Sequence, residues 1–268
     1  MSPSAPLFQP FPMLEGRSAQ AWRHQPAFRR PRHFHEEPEC NLALRGRAVV
    51  SVGAKTFTLS PGSLGVFWPG QDHELLEASA DLELVVMALR PELASKIDGW
   101  QHSRSSNSIE LDARRVARIG ERASAVNAMS DRLAVESTLA SVFDEIASAF
   151  GRSHSLSRRA ALALQQSSAC SGDELSRRLR AHRSNVSRTF KDDWGVTLVD
   201  FRARVRLMKF IQLVDSGQSL TEAALAADFG SYAQCHRVFQ RFLRCAPRTY
   251  FAGARSTIDS ALAEPAGR

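Results

Sequence analysis

SLTEAALAADFGSYAQCHRVFQRF, residues Ser219–Phe242, reads as a short helix over Leu220 to Ala227, a tight turn, and a second helix. In the second helix Cys235, Val238, Phe239 and Phe242 recur at i, i+3, i+4 and i+7, the spacing of one buried stripe. Tyr232, Ala233, His236 and Arg237 fall on the opposite face. A short helix, a turn and a second helix with a polar outer face is the helix-turn-helix arrangement, whose second helix enters the DNA major groove. An ordinary helical hairpin has the same outline, so one copy decides little.

There is a second copy. Ser187-Arg188-Thr189-Phe190-Lys191 has the same pattern as the later His236-Arg237-Val238-Phe239-Gln240, and Asp173 to Leu179 supplies its preceding short helix. Val186, Thr189 and Phe190 are expected to point inward. Arg183, Ser184, Ser187 and Arg188 are left for the outer face. Leu198 to Asp215 is a longer helix between the two units.

The charge follows this division. Residues 1–150 hold 16 basic and 18 acidic groups, a net of −2, whereas residues 151–255 hold 18 and 8, a net of +10. A basic half rich in arginine suits phosphate and guanine. A solvated arginine-rich surface is the plainer alternative, and the two helix-turn-helix copies favour nucleic acid over it.

The other half is built differently. Ala48 to Val52 and Lys55 to Leu59 flank Gly53-Ala54, a hairpin signal. Ser60-Pro61-Gly62 and Trp68-Pro69-Gly70 are further turns, with Ser63 to Phe67 between them. His73 to Glu77 and Leu82 to Leu89 complete a set of short strands, which suggests an antiparallel sandwich or barrel. After Pro91 the period becomes helical, in Arg114 to Ala125 and Leu133 to Phe150; Leu133, Leu139, Val142, Ile146 and Phe150 share roughly one stripe. Gly151-Arg152-Ser153-His154-Ser155 is the expected linker. The expected class is therefore α+β: an antiparallel barrel with following helices over 1–150, and an all-α domain with two helix-turn-helix units over 151–268.

Residues 171–251 resemble the DNA-binding domain of the AraC family of bacterial transcription regulators. The resemblance rests on Ser219 to Ala224, Asp228 to Tyr232, His236 to Phe242, Pro247 and Tyr250, with Phe190-Lys191, Gly195 and Arg206-Leu207 in the first copy. It implies that a long helix joins the two units so that both recognition helices face one side of the DNA. The chain departs from the family at Asp228 and Arg244, which stand at usual glycines, and at Phe251, which stands at a usual arginine.

In the N-terminal half, His33, His35 and Glu39 share parity, so on one strand their side chains would point the same way. With Gly46, Gly62, Trp68-Pro69-Gly70 and His73 they are similar to the two motifs of cupin barrels. Trp68 replaces the proline, and Glu77 the asparagine, usual in the second motif. That resemblance implies one divalent metal held by His33, His35, Glu39 and His73; the donor set suits zinc, nickel, iron(II) or manganese. An organic effector, oriented by the same polar groups, fits equally well. Glu37 shares the inward parity, as a partner of the ligands or a rim residue. Cys40, of opposite parity, is expected to pack.

Together these readings describe a sequence-specific transcription regulator controlled by a ligand or metal in the barrel. Its expected partners are double-stranded DNA, a small-molecule or metal effector, a second copy of itself through helices near 111–150, and RNA polymerase. A metal-dependent cupin enzyme with an accessory nucleic-acid-binding domain is the alternative. No acid–base pair beyond the ligands supports it, so no enzymatic activity is expected. An RNA-binding protein is a third class, disfavoured because the basic half has few aromatic residues on which bases could stack. Four scattered cysteines, no membrane-length apolar run and no secretory signal suit a reduced, cytoplasmic protein.

Overall fold

The computed structural model describes residues 7–25, 31–103, 106–152 and 155–254. Of the expected linker, Ser153 and His154 lie outside the described residues. The N-terminal half contains ten strands: β1 (Leu7–Phe8), β2 (Ala19–His24), β3 (His33–Phe34), β4 (Glu39–Arg45), β5 (Ala48–Val52), β6 (Lys55–Leu59), β7 (Ser63–Phe67), β8 (His73–Ala78), β9 (Glu83–Leu89) and β10 (Ser108–Glu110). They form two five-stranded sheets, ordered β1-β3-β8-β5-β6 and β10-β7-β4-β9-β2. All pairings are antiparallel except β1 with β3, which run parallel. The β5–β6 hairpin turns at Gly53-Ala54, where Gly53 adopts a φ of 57° that few residues other than glycine tolerate.

Alternation along the strands makes two cores. Leu84, Val86 and Ala88 of β9 join Ala48, Val50 and Leu59 of the other sheet, filling the barrel interior. Val85, Met87 and Leu89 face the other way and enter a larger core with the helices. Those helices are α1 (Pro91–Ala94), α2 (Asp98–Gln101), α3 (Ala113–Ala125) and α4 (Arg132–Phe150). Leu139, Val142, Ile146 and Phe150 of α4 are buried, but Leu133 is 71% exposed. The stripe could meet a second copy or pack on the barrel; its buried part packs against the protein's own β2, β9, α2 and α3.

The C-terminal half is helical: α5 (Leu156–Gln166), α6 (Gly172–Leu179), α7 (Arg183–Trp194), α8 (Leu198–Asp215), α9 (Leu220–Ala226), α10 (Tyr232–Leu243) and α11 (Pro247–Thr249). The internal repeat extends to helix starts. Ser171 with Glu174 caps α6, and Ser219 with Glu222 caps α9, each pair satisfying two otherwise orphaned backbone N–H groups. Among the described residues three non-glycine residues take positive φ, and all lie at ends or turns of these units: Arg180 (52°), Asp228 (66°) and Arg244 (61°). Asp228 and Arg244 are two of the positions at which the sequence departs from the family's glycines.

The two halves share one continuous core. The barrel meets the inward side of the helical units, and the contact is polar at its centre. Arg204 of α8, only 4% exposed, donates to the carboxylate of Asp72 at 2.6 Å and to the Gly70 carbonyl at 2.8 Å. Arg32 pairs with the second oxygen of Asp72. Burial alone would raise the Asp72 carboxyl, but the guanidinium groups of Arg204 and Arg32 hold it below its ordinary value.

Candidate functional site

Two candidate sites lie in the two halves. In the barrel, His33 on β3 is directly opposite His73 on β8. His35 follows the end of β3, and Glu39 opens β4 in the other sheet. The expectation of one continuous strand from His33 to Glu39 is therefore corrected. Pro38 interrupts it, because proline cannot donate to a ladder, and the chain crosses from one sheet to the other. The crossing nonetheless brings all four side chains to one place.

One ring nitrogen from each of His33, His35 and His73 lies within 4.8 Å of the others, and all three residues are buried. The Nδ1 atoms face backbone carbonyls: Pro31 at 2.9 Å, Glu37 at 2.9 Å and Gln71 at 3.3 Å, respectively. A carbonyl oxygen only accepts, so Nδ1 is the donor in each of these three contacts, which leaves Nε2 turned toward the cluster. Second-layer carbonyls that fix the tautomer in this way are the usual support of metal-binding histidines.

Glu39 Oε2 lies 3.1 Å from His35 Nε2 and 3.7 Å from His73 Nε2. The His35 pair is at hydrogen-bond distance, the carboxylate oxygen accepting. His73 Nε2 is also buried without a hydrogen-bond partner, a costly state for a polar atom. Burial, with His73 and His35 beside it, keeps His33 well below the ordinary imidazole range and therefore neutral. Burial would lift Glu39, but the hydrogen bond with His35 and the nearby His73 take it well below the usual carboxylate range. Three imidazole nitrogens and one carboxylate gathered at one point are a donor set that a divalent metal can use.

The adjoining cavity, about 90 Å³, is walled by Phe11, Phe67, Leu84 and Val86 beside His33, Glu39 and His73. Glu37 is buried 3.6 Å from His35 Nδ1, and burial pushes its carboxyl up to about 7. It supports the ring of His35 from behind. Cys40 is fully buried in the larger core.

The second site is the outer face of the helical half. Arg183, Ser184, Ser187 and Arg188 are all exposed on α7, and Asn185 is exposed beside them. On α10 Ala233 and Arg237 are exposed, with Tyr232 and His236 half-buried. Cys235, Phe239 and Phe242 are buried, while Val238 is half-buried. The barrel meets these units from behind: Phe34 packs edge-on against Phe242 at 5.2 Å, and the Trp194 carbonyl accepts from Gln71 at 3.2 Å. The outward faces stay open. Asn185 escaped the sequence reading because its helix face is shared with arginines that dominate the charge argument. Arg204 escaped it too, although an arginine between Phe201 and Met208 on an apolar face was the available signal.

The family of AraC-like ligand binding domains matches residues 13–164, more than half of the chain. The chain belongs to the AraC family. A helix-turn-helix domain family matches residues 175–253 of this AraC-family chain, so a ligand-binding domain is joined to a DNA-binding one. Among curated proteins the chain is 32% identical over 82 residues to the transcriptional regulatory protein HptR of Staphylococcus aureus strain bovine RF122 / ET3-1. That match covers 31% of this chain and 32% of HptR. The chain thus spans about a third of the length of the curated relative it matches. Among solved structures, ToxT from Vibrio cholerae O395 superposes with a TM-score of 0.50 at 12% identity, over 87% of this chain and 96% of ToxT. ToxT of strain SCE256, solved with an unsaturated fatty acid bound, gives 0.50 at 11% identity over 87% and 93%. These likenesses establish the fold: two sheets followed by a helical region. No helix among the described residues is long and apolar enough to cross a membrane.

Proposed function

We propose that this AraC-family chain is a transcription regulator that reads specific double-stranded DNA with α7 and α10 and responds to an occupant of the barrel. The observation that carries it is the pair of open polar faces, repeated in the half of net charge +10, with the barrel docked behind them. Arg183, Ser184, Ser187 and Arg188 form one reading face, and Tyr232, Ala233, His236 and Arg237 the other. The relatives' regulatory role and the small-molecule complex of ToxT support this reading. It places the protein in the cytoplasm with the DNA and assigns it no catalysis. RNA is disfavoured because Trp194 and Tyr250 are buried, which removes stacking surface from the basic half.

A gel shift against a selected operator tests the reading. Arg237→Ala should weaken the operator complex by about 1–3 kcal/mol, the value of one guanine contact, and leave random DNA nearly unchanged. Wild-type affinity should fall with salt at a slope of about −0.9 per neutralised phosphate. Equal loss on both DNAs would make Arg237 a phosphate contact.

For the barrel we propose a divalent metal held by His33, His35, Glu39 and His73, with zinc, nickel, iron(II) and manganese all suited to the donors. A bound metal would supply a charge that fixes the two sheets where His73 adjoins Asp72. The purified chain should carry stoichiometric metal. Added metal at a hundredfold excess over Kd should stabilise the apo-protein by about 2.7 kcal/mol, and His35→Ala should abolish that gain. A melting curve unmoved by all four metals would leave the pocket to an organic effector.

A further inference from the structure

A second cavity, about 470 Å³, opens between the barrel and the helical half. Its size falls in the range that small organic ligands occupy. It lies outside the barrel, between α1, α2, α5 and α8, and shares no lining residue with the His33–Glu39–His73 pocket. Its most unusual wall residue is Arg158. This side chain is 3% exposed, and none of the ion pairs among the described residues involves it. Nη2 donates to the Trp100 carbonyl at 3.2 Å, the guanidinium lies 4.1 Å over the Trp68 ring, and Nε has no partner. Burial alone pushes Arg158 down to about 9, with no neighbouring carboxylate to counter it.

A buried guanidinium without a counter-charge is strongly disfavoured unless a ligand supplies one. The comparison with Arg204 is direct. Arg204 is as deeply buried but has the Asp72 carboxylate; Arg158 has a cavity in the corresponding place. We propose that this cavity binds a small organic monocarboxylate, its acid group paired with Arg158 and its apolar body against Trp100, Leu162 and Met208. One negative charge matches the site better than two. The other cation of the wall, Lys209, is already paired with Asp228 at 3.2 Å, so the lining offers one positive charge without a carboxylate partner. Because Glu36 comes from the barrel and Arg158 and Met208 from the helices, an occupant touches both halves at once.

Isothermal titration of the full chain with benzoate and hexanoate, and with benzamide, hexanamide and inorganic phosphate, tests this. The acids should bind saturably. The amides and phosphate should bind at least about tenfold more weakly, since a charge-assisted pair is lost or mismatched. Arg158→Gln should lose acid binding, and Leu162→Trp, which fills the cavity while leaving Arg158 in place, should lose it too. His35→Ala should bind the acids as the wild type does, which separates this site from the barrel. The proposal is overturned if neither acid binds, if amides or phosphate bind as tightly, or if Leu162→Trp with native circular dichroism retains full affinity. Should Arg158→Gln fail to fold, the Leu162→Trp variant and the acid–amide comparison still decide.

Discussion

At Arg244 the chain places a long side chain in the left-handed region, with φ 61°, as the C-terminal cap of α10. Glycine is the usual solution there because a Cβ crowds the following carbonyl. Arg244 is exposed and no hydrogen bond or ion pair of its side chain compensates among the described contacts. Arg244→Gly should therefore stabilise the protein, by about 1 kcal/mol, read as a higher urea midpoint at unchanged slope. Asp228 is a different case at the same conformation. Its carboxylate accepts from the Ser168 hydroxyl at 2.6 Å and from Lys209 at 3.2 Å, so the side chain recovers part of what the backbone loses. Substitution to glycine there would remove both bonds, and no comparable gain is expected.

At the scale of elements, α8 does two jobs with neighbouring side chains of one helix. Phe201 and Leu207 hold the helical units together, while Arg204 reaches the barrel. Its partner Asp72 immediately precedes His73, and the Asp72 carbonyl accepts from Gly53 N at 3.0 Å. Gly53 in turn abuts Gly195, the cap of α7, so closely that a side-chain atom on either would strike the other's backbone. The barrel site, the connecting helix and the first recognition helix are thus joined through three contacts that meet at Asp72 and Gly53. Asp72→Ala should cost about 3–5 kcal/mol, because it strands the buried Arg204 guanidinium and takes the carboxylate from the half-buried Arg32. Asp72→Leu combined with Arg204→Met should recover most of that loss in urea unfolding. Additive losses in the double variant would show that the pair is not coupled.

For the whole molecule, the burial of the α4 stripe changes what an association experiment can report. Val142 is fully buried in the core shared by β-sheet and helices. Val142→Asp should therefore unfold the chain, or lower its melting temperature by several degrees, at every protein concentration. A variant that kept its native melting temperature and only lost mass in light scattering would return the stripe to a dimer contact. Of the stripe, Leu133 alone is left exposed for contact with a second copy.

Much of this architecture was legible locally. The β5–β6 hairpin, β7 and α8 fall where turn residues and periodicity put them, because each is set by neighbours a few residues apart. The outward faces of α7 and α10 were readable for the same reason: a helix of period 3.6 that buries Phe190 or Phe239 must expose what lies opposite. The set His33, His35, Glu39 and His73 was also visible, but through motif spacing joined to a wrong picture of one strand. Only the fold shows Pro38 sending the chain into the second sheet, with convergence arising across sheets. Partners distant in sequence had no signal at all. Periodicity marks Arg204 as misplaced on an apolar face without naming Asp72, and it marks α4 as apolar without saying what covers it. Sequence by itself determined the elements, their faces and the class of chemistry, since those depend on local spacing and charge. Tertiary structure alone decided which buried charge has a partner and which, at Arg158, faces a cavity, because pairing depends on distances that the chain order does not contain.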